Sequence, residues 1–215
     1  MHFTHALFDM DGTLVDSMGY WDEVCGEYLR QVGLYSEVVF ETLKPMTLPQ
    51  TAEYFESEFG IKVPVEKMEK EMCRIMLDHY ENDIEVKPGV QAFLEAMQKK
   101  GIRMCVVSSS PTLLVETCLK RHGLTQYFEF LLSADEVGKG KTDPDIYFEA
   151  ARRLGVEPQN TLVFEDAMPA GLTAKRAGFP TAAIFDETSA VEWDEFRKQT
   201  DFAFADWDEA LRTLA

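Results

Sequence analysis

The chain has 215 residues, enough for one sizeable core or for a core with a smaller insert, and its hydrophobic share of 46% is that of a globular protein. A formal net charge of −17, with no cluster of Lys and Arg, argues against a nucleic-acid partner. No apolar run approaches the ~20 residues that cross a bilayer, and Cys25, Cys73, Cys105 and Cys118 form no metal-like spacing with the scattered histidines, so a cytoplasmic protein with reduced thiols and no membrane contact is expected.

In chain order, Ala6-Leu7-Phe8, with His5 just ahead, predicts a short buried strand that runs out at Asp9. The run Asp9-Met10-Asp11-Gly12-Thr13 then sets two carboxylates one residue apart at a Gly-Thr turn. Beyond the carboxyl end of a strand in an open α/β sheet, such carboxylates can bind a hard cation and attack an electrophile. An acidic strand-to-turn junction is the plain alternative, since Asp-Gly is a common turn signal. Residues 16–86 carry no strand signal. Their periodicity is helical, as in Trp21, Val24, Cys25, Tyr28 and Leu29, and again in Met68, Met72, Ile75, Met76 and His79. Breaks at Gly33, from Pro45 to Pro49 and from Gly60 to Pro64 divide the segment into about four helices.

From Pro88-Gly89 onward, strands and helices alternate. Val90 to Met97 predict a helix ended by Gly101, and Met104 to Val107 a strand stopping at Ser108-Ser109-Ser110. Pro111 suits the first turn of a helix that runs to Gly123. Phe128 to Leu132 form another apolar run, and Asp143-Pro144 reads as an N-cap followed by a first-turn proline, with the helix ending near Gly155. Thr161 to Phe164 predict a strand ending at Glu165-Asp166, followed by a helix to Gly178 and strands at Thr181 to Phe185 and Phe202 to Phe204. This alternation predicts a parallel sheet with helices on both faces, a core domain of residues 1–15 and 87–215, and a helical domain of residues 16–86.

In such a sheet Asp9, Asp11, Ser108, Glu165 and Asp166 all lie at strand ends on one edge, with Lys141 on a nearby loop. Carboxylates, a lysine and a hydroxyl are the toolkit of Mg²⁺-assisted phosphoryl transfer. Taken singly, each has a bland explanation: Ser108 as a helix cap, Lys141 as a surface lysine, Glu165-Asp166 as a charge pair at a helix N-terminus. Only their joint arrangement points to chemistry.

In order and context, Asp9-Met10-Asp11-Gly12-Thr13, Ser108, Lys141 and Glu165-Asp166 resemble the four motifs of the haloacid dehalogenase (HAD) superfamily. The helical insert resembles the α-helical cap of its phosphatase and β-phosphoglucomutase branch, and the resemblance covers essentially the whole chain. It implies a Rossmann-like α/β core and a Mg²⁺-dependent phosphatase of a small phosphate monoester such as a sugar phosphate. Asp9 is then the nucleophile that forms an aspartyl-phosphate, and Asp11 protonates the leaving oxygen and later activates water. Asp9, the backbone carbonyl of Asp11, Asp166 and, through water, Glu165 hold Mg²⁺. Ser108, Ser109 and Gly12 bind the phosphate, Lys141 neutralises both nucleophile and transferring group, and Trp21 and Thr47 contact the substrate from the cap. A monomer is expected.

The chain also departs from the pattern. Thr142 stands where a proline usually follows the motif lysine, and Ala167 where serine often follows the last motif. β-Phosphoglucomutases carry a His where this chain has Trp21, an Arg in the cap loop where residues 45–50 have none, and Lys-Asn where this chain has Pro111-Thr112. Mutase activity needs a second phosphate clamp, so it is the second reading, and haloacid dehalogenation the third.

Overall fold

The buried apolar segments pair into one parallel sheet in the computed structural model, which describes residues 3–43 and 46–214. Pro45, which opens one of the expected breaks, lies outside the described residues. The strands are β1 (His5–Phe8), β2 (Arg103–Ser108), β3 (Leu131–Ser133), β4 (Thr161–Glu165), β5 (Thr181–Ile184) and β6 (Phe202–Phe204), and their order across the sheet is β3-β2-β1-β4-β5-β6. Strand β1 is central and buried along its whole length. Leu7 aligns with Cys105 on one side and Val163 on the other. Because the chain adds β2 and β3 on one side of β1 and β4 to β6 on the other, the ends of β1 and β4 flank the place where the strand order reverses. That is where open α/β sheets bind ligands.

Side chains alternate between the two faces. On one face Phe8 stacks on Phe164 at 4.7 Å, and both meet Phe93 of α5 (Val90–Lys99) and Trp207 of α11 (Trp207–Leu214). On the other, Leu7, Cys105 and Val163 pack with Ile146, Tyr147 and Ala150 of α8 (Asp145–Leu154) and Ala174 of α9 (Met168–Arg176). Helices therefore cover both faces, as the alternation predicts. The remaining core helices are α6 (Thr112–Arg121), the short α7 (Ala134–Val137) and α10 (Ala190–Gln199).

Several element ends differ from the sequence reading. Helix α8 starts at Asp145, so Pro144 rather than Asp143 is its N-cap, although Asp143 Oδ1 still accepts the Asp145 N–H at 3.1 Å. Pro111 is likewise the N-cap of α6 and not part of its first turn. Both prolines keep their carbonyls as the first helical acceptors, which shifts each start by one residue. The run at 128–132 becomes a strand only from Leu131, because a 3₁₀ turn at Thr125–Tyr127 feeds it, but Glu129 N–H already bonds Met104 O at 2.8 Å.

Residues 18–83 form a second compact unit, the first comprising residues 1–17 and 84–215. The second unit holds α1 (Met18–Gln31), α2 (Glu37–Leu43), α3 (Leu48–Phe59) and α4 (Val65–Asn82). Its interior is built from Tyr28, Leu29, Phe40, Phe55, Met68, Ile75, Met76 and Tyr80. Among the described residues no helix is long and apolar enough to cross a membrane. The cysteines are thiols rather than disulfides, with Cys105 and Cys118 buried and Cys25 and Cys73 partly so.

Candidate active site

Strand β1 delivers Asp9 to the reversal point, where its N–H bonds Phe164 O of β4 at 3.0 Å. The chain then turns sharply. Thr13, Leu14 and Val15 all donate backbone N–H groups to Met10 O, and Gly12 adopts φ +81°, a conformation that a side chain would strain. The Gly12 N–H is taken up by Val15 O at 3.0 Å. The turn is pinned from the far end of the chain, because Trp207 Nε1 donates to Thr13 O at 3.0 Å. The Thr13 hydroxyl donates to Asp166 Oδ1 at 3.0 Å.

Asp9, Glu165 and Asp166 are all buried, and one oxygen from each lies within 4.8 Å of the others. Lys141, only 7% exposed, donates to Asp9 Oδ1 and to Glu165 Oε1, the latter at 2.7 Å. Glu165 Oε1 also accepts from the Tyr147 hydroxyl at 2.9 Å. Burial pushes Glu165 up to about 7 against the pull of Lys141, and it raises Asp166 well above the carboxylate range, with Asp9 and Glu165 adding to the effect. Burial likewise raises Asp9, opposed by Lys141 and reinforced by Asp11. For Lys141 burial disfavours the charge, but Asp9 and Glu165 outweigh it and hold the ammonium protonated. The Lys141 ammonium thus faces three crowded carboxylates. If all ionise, two negative charges of this set remain unbalanced in a dry site, the deficit that a divalent cation fills with oxygen donors of the kind Mg²⁺ prefers. The residues present fit such an ion.

Asp11 stands beside this cluster. Its Oδ1 accepts from Ser17 Oγ at 2.7 Å and its Oδ2 from Ser110 Oγ at 2.6 Å. Ser108, at the end of β2, is 1% exposed, and its Oγ accepts the Ser110 N–H at 3.0 Å, which folds the loop back toward α6. Ser109 is exposed on that loop. Asp9, Lys141, Glu165 and Asp166 are thereby brought together, with Asp11 and Ser108 on adjoining loops of the same sheet edge. Trp21 and Thr47 belong to the helical unit. Trp21 Nε1 donates to the Tyr80 hydroxyl at 3.1 Å, and its ring lines a cleft of about 160 Å³ with Phe40, Leu43, Met46, Leu48 and Met72. The Thr47 N–H and hydroxyl both bond Gln50 Oε1, at 2.8 and 3.0 Å, capping α3.

Sequence reasoning missed Ser17, Ser110 and Tyr147 and gave Thr13 no role. A buried tyrosine hydroxyl needs a partner, which was the only signal for Tyr147. Of the three consecutive serines, Ser108 and Ser109 read as phosphate binders, and Ser110 only as part of the turn.

The family model described as haloacid dehalogenase-like hydrolase matches residues 6–184, which takes in the whole helical unit and the core as far as β5. The chain belongs to the haloacid dehalogenase-like hydrolases. It stands in their phosphatase branch, as a phosphoric monoester hydrolase. It is 34% identical over 176 residues to the validoxylamine A 7'-phosphate phosphatase of Streptomyces hygroscopicus subsp. limoneus, covering 80% of this chain and 81% of that protein. It is 28% identical over 174 residues to the phosphorylated carbohydrates phosphatase of Thermotoga maritima, covering 80% and 81%. The crystal structure of CbbY from Rhodobacter sphaeroides in complex with phosphate shares the fold, with TM-score 0.80 at 22% identity over 96% of each chain.

Proposed function

We propose that this chain is a Mg²⁺-dependent phosphatase of small phosphorylated metabolites, sugar phosphates above all, working through an aspartyl-phosphate on Asp9. The observation that carries this reading is the buried set of Asp9, Glu165 and Asp166 with Lys141 bridging two of them. The names of the two phosphatase relatives support the substrate class.

In the proposed reaction an Asp9 oxygen attacks phosphorus, and the bond to the ester oxygen breaks. Its electron pair goes to the leaving oxygen, which takes a proton from Asp11. Water then attacks phosphorus as Asp11 takes a proton back, and the Asp9 carboxylate is released. Ser108 and the backbone N–H of Ser109, on the loop that leads into α6, hold phosphate oxygens, with Gly12 shaping the loop opposite. Lys141 offsets the charge of Asp9 and of the transferring group. Mg²⁺ would be held by Asp9, Asp166 and the Asp11 carbonyl, with Glu165 acting through water, and would neutralise charge on the phosphoryl oxygens. Glu165 also orients Lys141, with which it shares a 2.7 Å bond. For the organic part of the substrate the proposed contacts are Trp21 and Thr47.

The test is a panel of sugar, polyol and nucleoside monophosphates assayed with Mg²⁺, with EDTA and with Ca²⁺. Free phosphate should appear in step with substrate loss and stop on chelation. Ca²⁺ should inhibit, because its larger and looser coordination misplaces the nucleophile. Full activity in EDTA would contradict the reading. So would isomerisation of β-glucose 1-phosphate, primed with glucose 1,6-bisphosphate, without phosphate release, which would favour the mutase.

A further inference from the structure

We propose that Ser110 is a positioning residue for Asp11, setting the direction in which its carboxyl delivers a proton to the leaving oxygen. The inference rests on the phosphatase reading above and concerns a residue that reading does not use. Ser110 is 7% exposed and held at three atoms. Its N–H is fixed to Ser108 Oγ at 3.0 Å, and its carbonyl accepts from Ser133 Oγ at 2.9 Å. Its hydroxyl donates to Asp11 Oδ2 at 2.6 Å. Ser133 is fully buried and is the register partner of Ser108 where β3 pairs with β2. The place of the Ser110 hydroxyl is therefore set by the sheet rather than by a free loop.

This arrangement ties two tasks to one piece of backbone. The loop that carries Ser108 and Ser109, the proposed phosphate holders, also grips the carboxyl that must reach the ester oxygen of that phosphate. The proton donor is thereby placed in register with the group being transferred, and proton transfer is sensitive to such placement. A hydroxyl suits the post because it donates to a carboxylate and accepts from a carboxylic acid without moving. Asp11 passes through both states, giving its proton to the leaving oxygen and regaining one from water. Ser17 holds the other carboxylate oxygen at 2.7 Å, so loss of Ser110 removes the hydrogen bond that fixes the Oδ2 end.

The test compares kcat/KM, which reports the first phosphoryl transfer, for an alkyl phosphate and for p-nitrophenyl phosphate. The nitrophenolate departs without a proton and the alkoxide does not. Ser110→Ala should lose about 30-fold on the alkyl ester and less than about threefold on the aryl ester, a part of the 10²–10⁴ typical of general acid catalysis. Inhibition by inorganic phosphate should be unchanged within about twofold, whereas a loosened phosphate loop would weaken it in step with the rate. Asp11→Asn should show the same selectivity for the aryl ester, and adding Ser110→Ala to it should cost little more, since the two changes remove one function. If Ser110→Ala does not fold, Ser110→Cys keeps the volume with a much weaker donor and reads the same ratio. Equal losses on both esters, or multiplicative losses in the double variant, would overturn the proposal while leaving the phosphatase reading intact. Inactivity of the unaltered chain on both esters would overturn the two together.

Discussion

Asp9→Asn is expected to lower kcat by more than about 10⁴-fold, the scale on which enzymes respond to loss of a nucleophile. An amide nitrogen bears no free lone pair for phosphorus, and an amide oxygen is a far weaker nucleophile than a carboxylate. The fold should survive the change. The backbone of residue 9 remains bonded to Phe164 O, Asn keeps an oxygen for Lys141, and Lys141 retains its 2.7 Å bond to Glu165. Removing one of three crowded carboxylates also relieves the repulsion that burial amplifies among Asp9, Glu165 and Asp166. Thermal unfolding should therefore move by a few degrees at most while turnover disappears. Kinetics are best paired with mass spectrometry of residue 9, since deamidation regenerates the acid. Substantial turnover by the Asp9→Asn protein, with its amide shown to be intact, would remove Asp9 from the chemistry.

Lys141→Met should cost stability as well as activity. The substitution keeps an unbranched chain one atom shorter and deletes the charge that Asp9 and Glu165 share. Removing one member of a buried ion pair typically costs about 3–5 kcal/mol, because the other stays behind uncompensated. For a chain of this size that corresponds to a fall in Tm of roughly 10 °C. The deficit should depend on pH with a definite sign. Glu165 is already raised to about 7 with Lys141 present, against an ordinary value of 4.5, and losing the ammonium raises it further. A carboxyl whose folded pKa lies above its unfolded value binds more protons in the folded state, so stability falls as pH rises through that range. The variant should therefore be closest to the parent protein near pH 5 and furthest from it near pH 8.5. Added Mg²⁺ should recover part of the loss at high pH by binding only the folded form. Calorimetric scans of both proteins, with and without Mg²⁺, read all three effects. A deficit that shrinks as pH rises would contradict the charge balance described for the site.

The strand ends and their acidic residues were legible in the sequence because both signals are local. A strand such as Ala6-Leu7-Phe8 is a short apolar run, and Asp9, Ser108 and Glu165 follow such runs directly. What holds the motif residues in place is not local. Trp207 reaches Thr13 across 194 positions, Ser110 reaches Asp11 across 99, and Tyr147 reaches Glu165 from a helix whose apolar spacing reads as ordinary core. None of these polar contacts leaves a spacing signature, since each depends on how the sheet order folds distant segments together. Helix α11 could have been read, because Trp207, Ala210, Leu211 and Leu214 fall at the i, i+3, i+4, i+7 positions of an apolar face. Helix α10 offers far less. Phe196 is its buried residue, whereas Val191 is almost fully exposed, so its pattern carries little amphipathic signal.

The claim on which the mechanism turns is that phosphate passes through Asp9 before it reaches water. Each in-line displacement inverts phosphorus, so two in succession restore its configuration, whereas direct attack by water inverts it once. The decisive measurement is hydrolysis of a monoester made chiral at phosphorus with ¹⁶O, ¹⁷O and a thio-substituent, in H₂¹⁸O with Mg²⁺, followed by stereochemical analysis of the thiophosphate released. Retention of configuration is the expected result. Inversion, in protein whose activity depends on Asp9, would show that Asp9 does not carry the phosphoryl group.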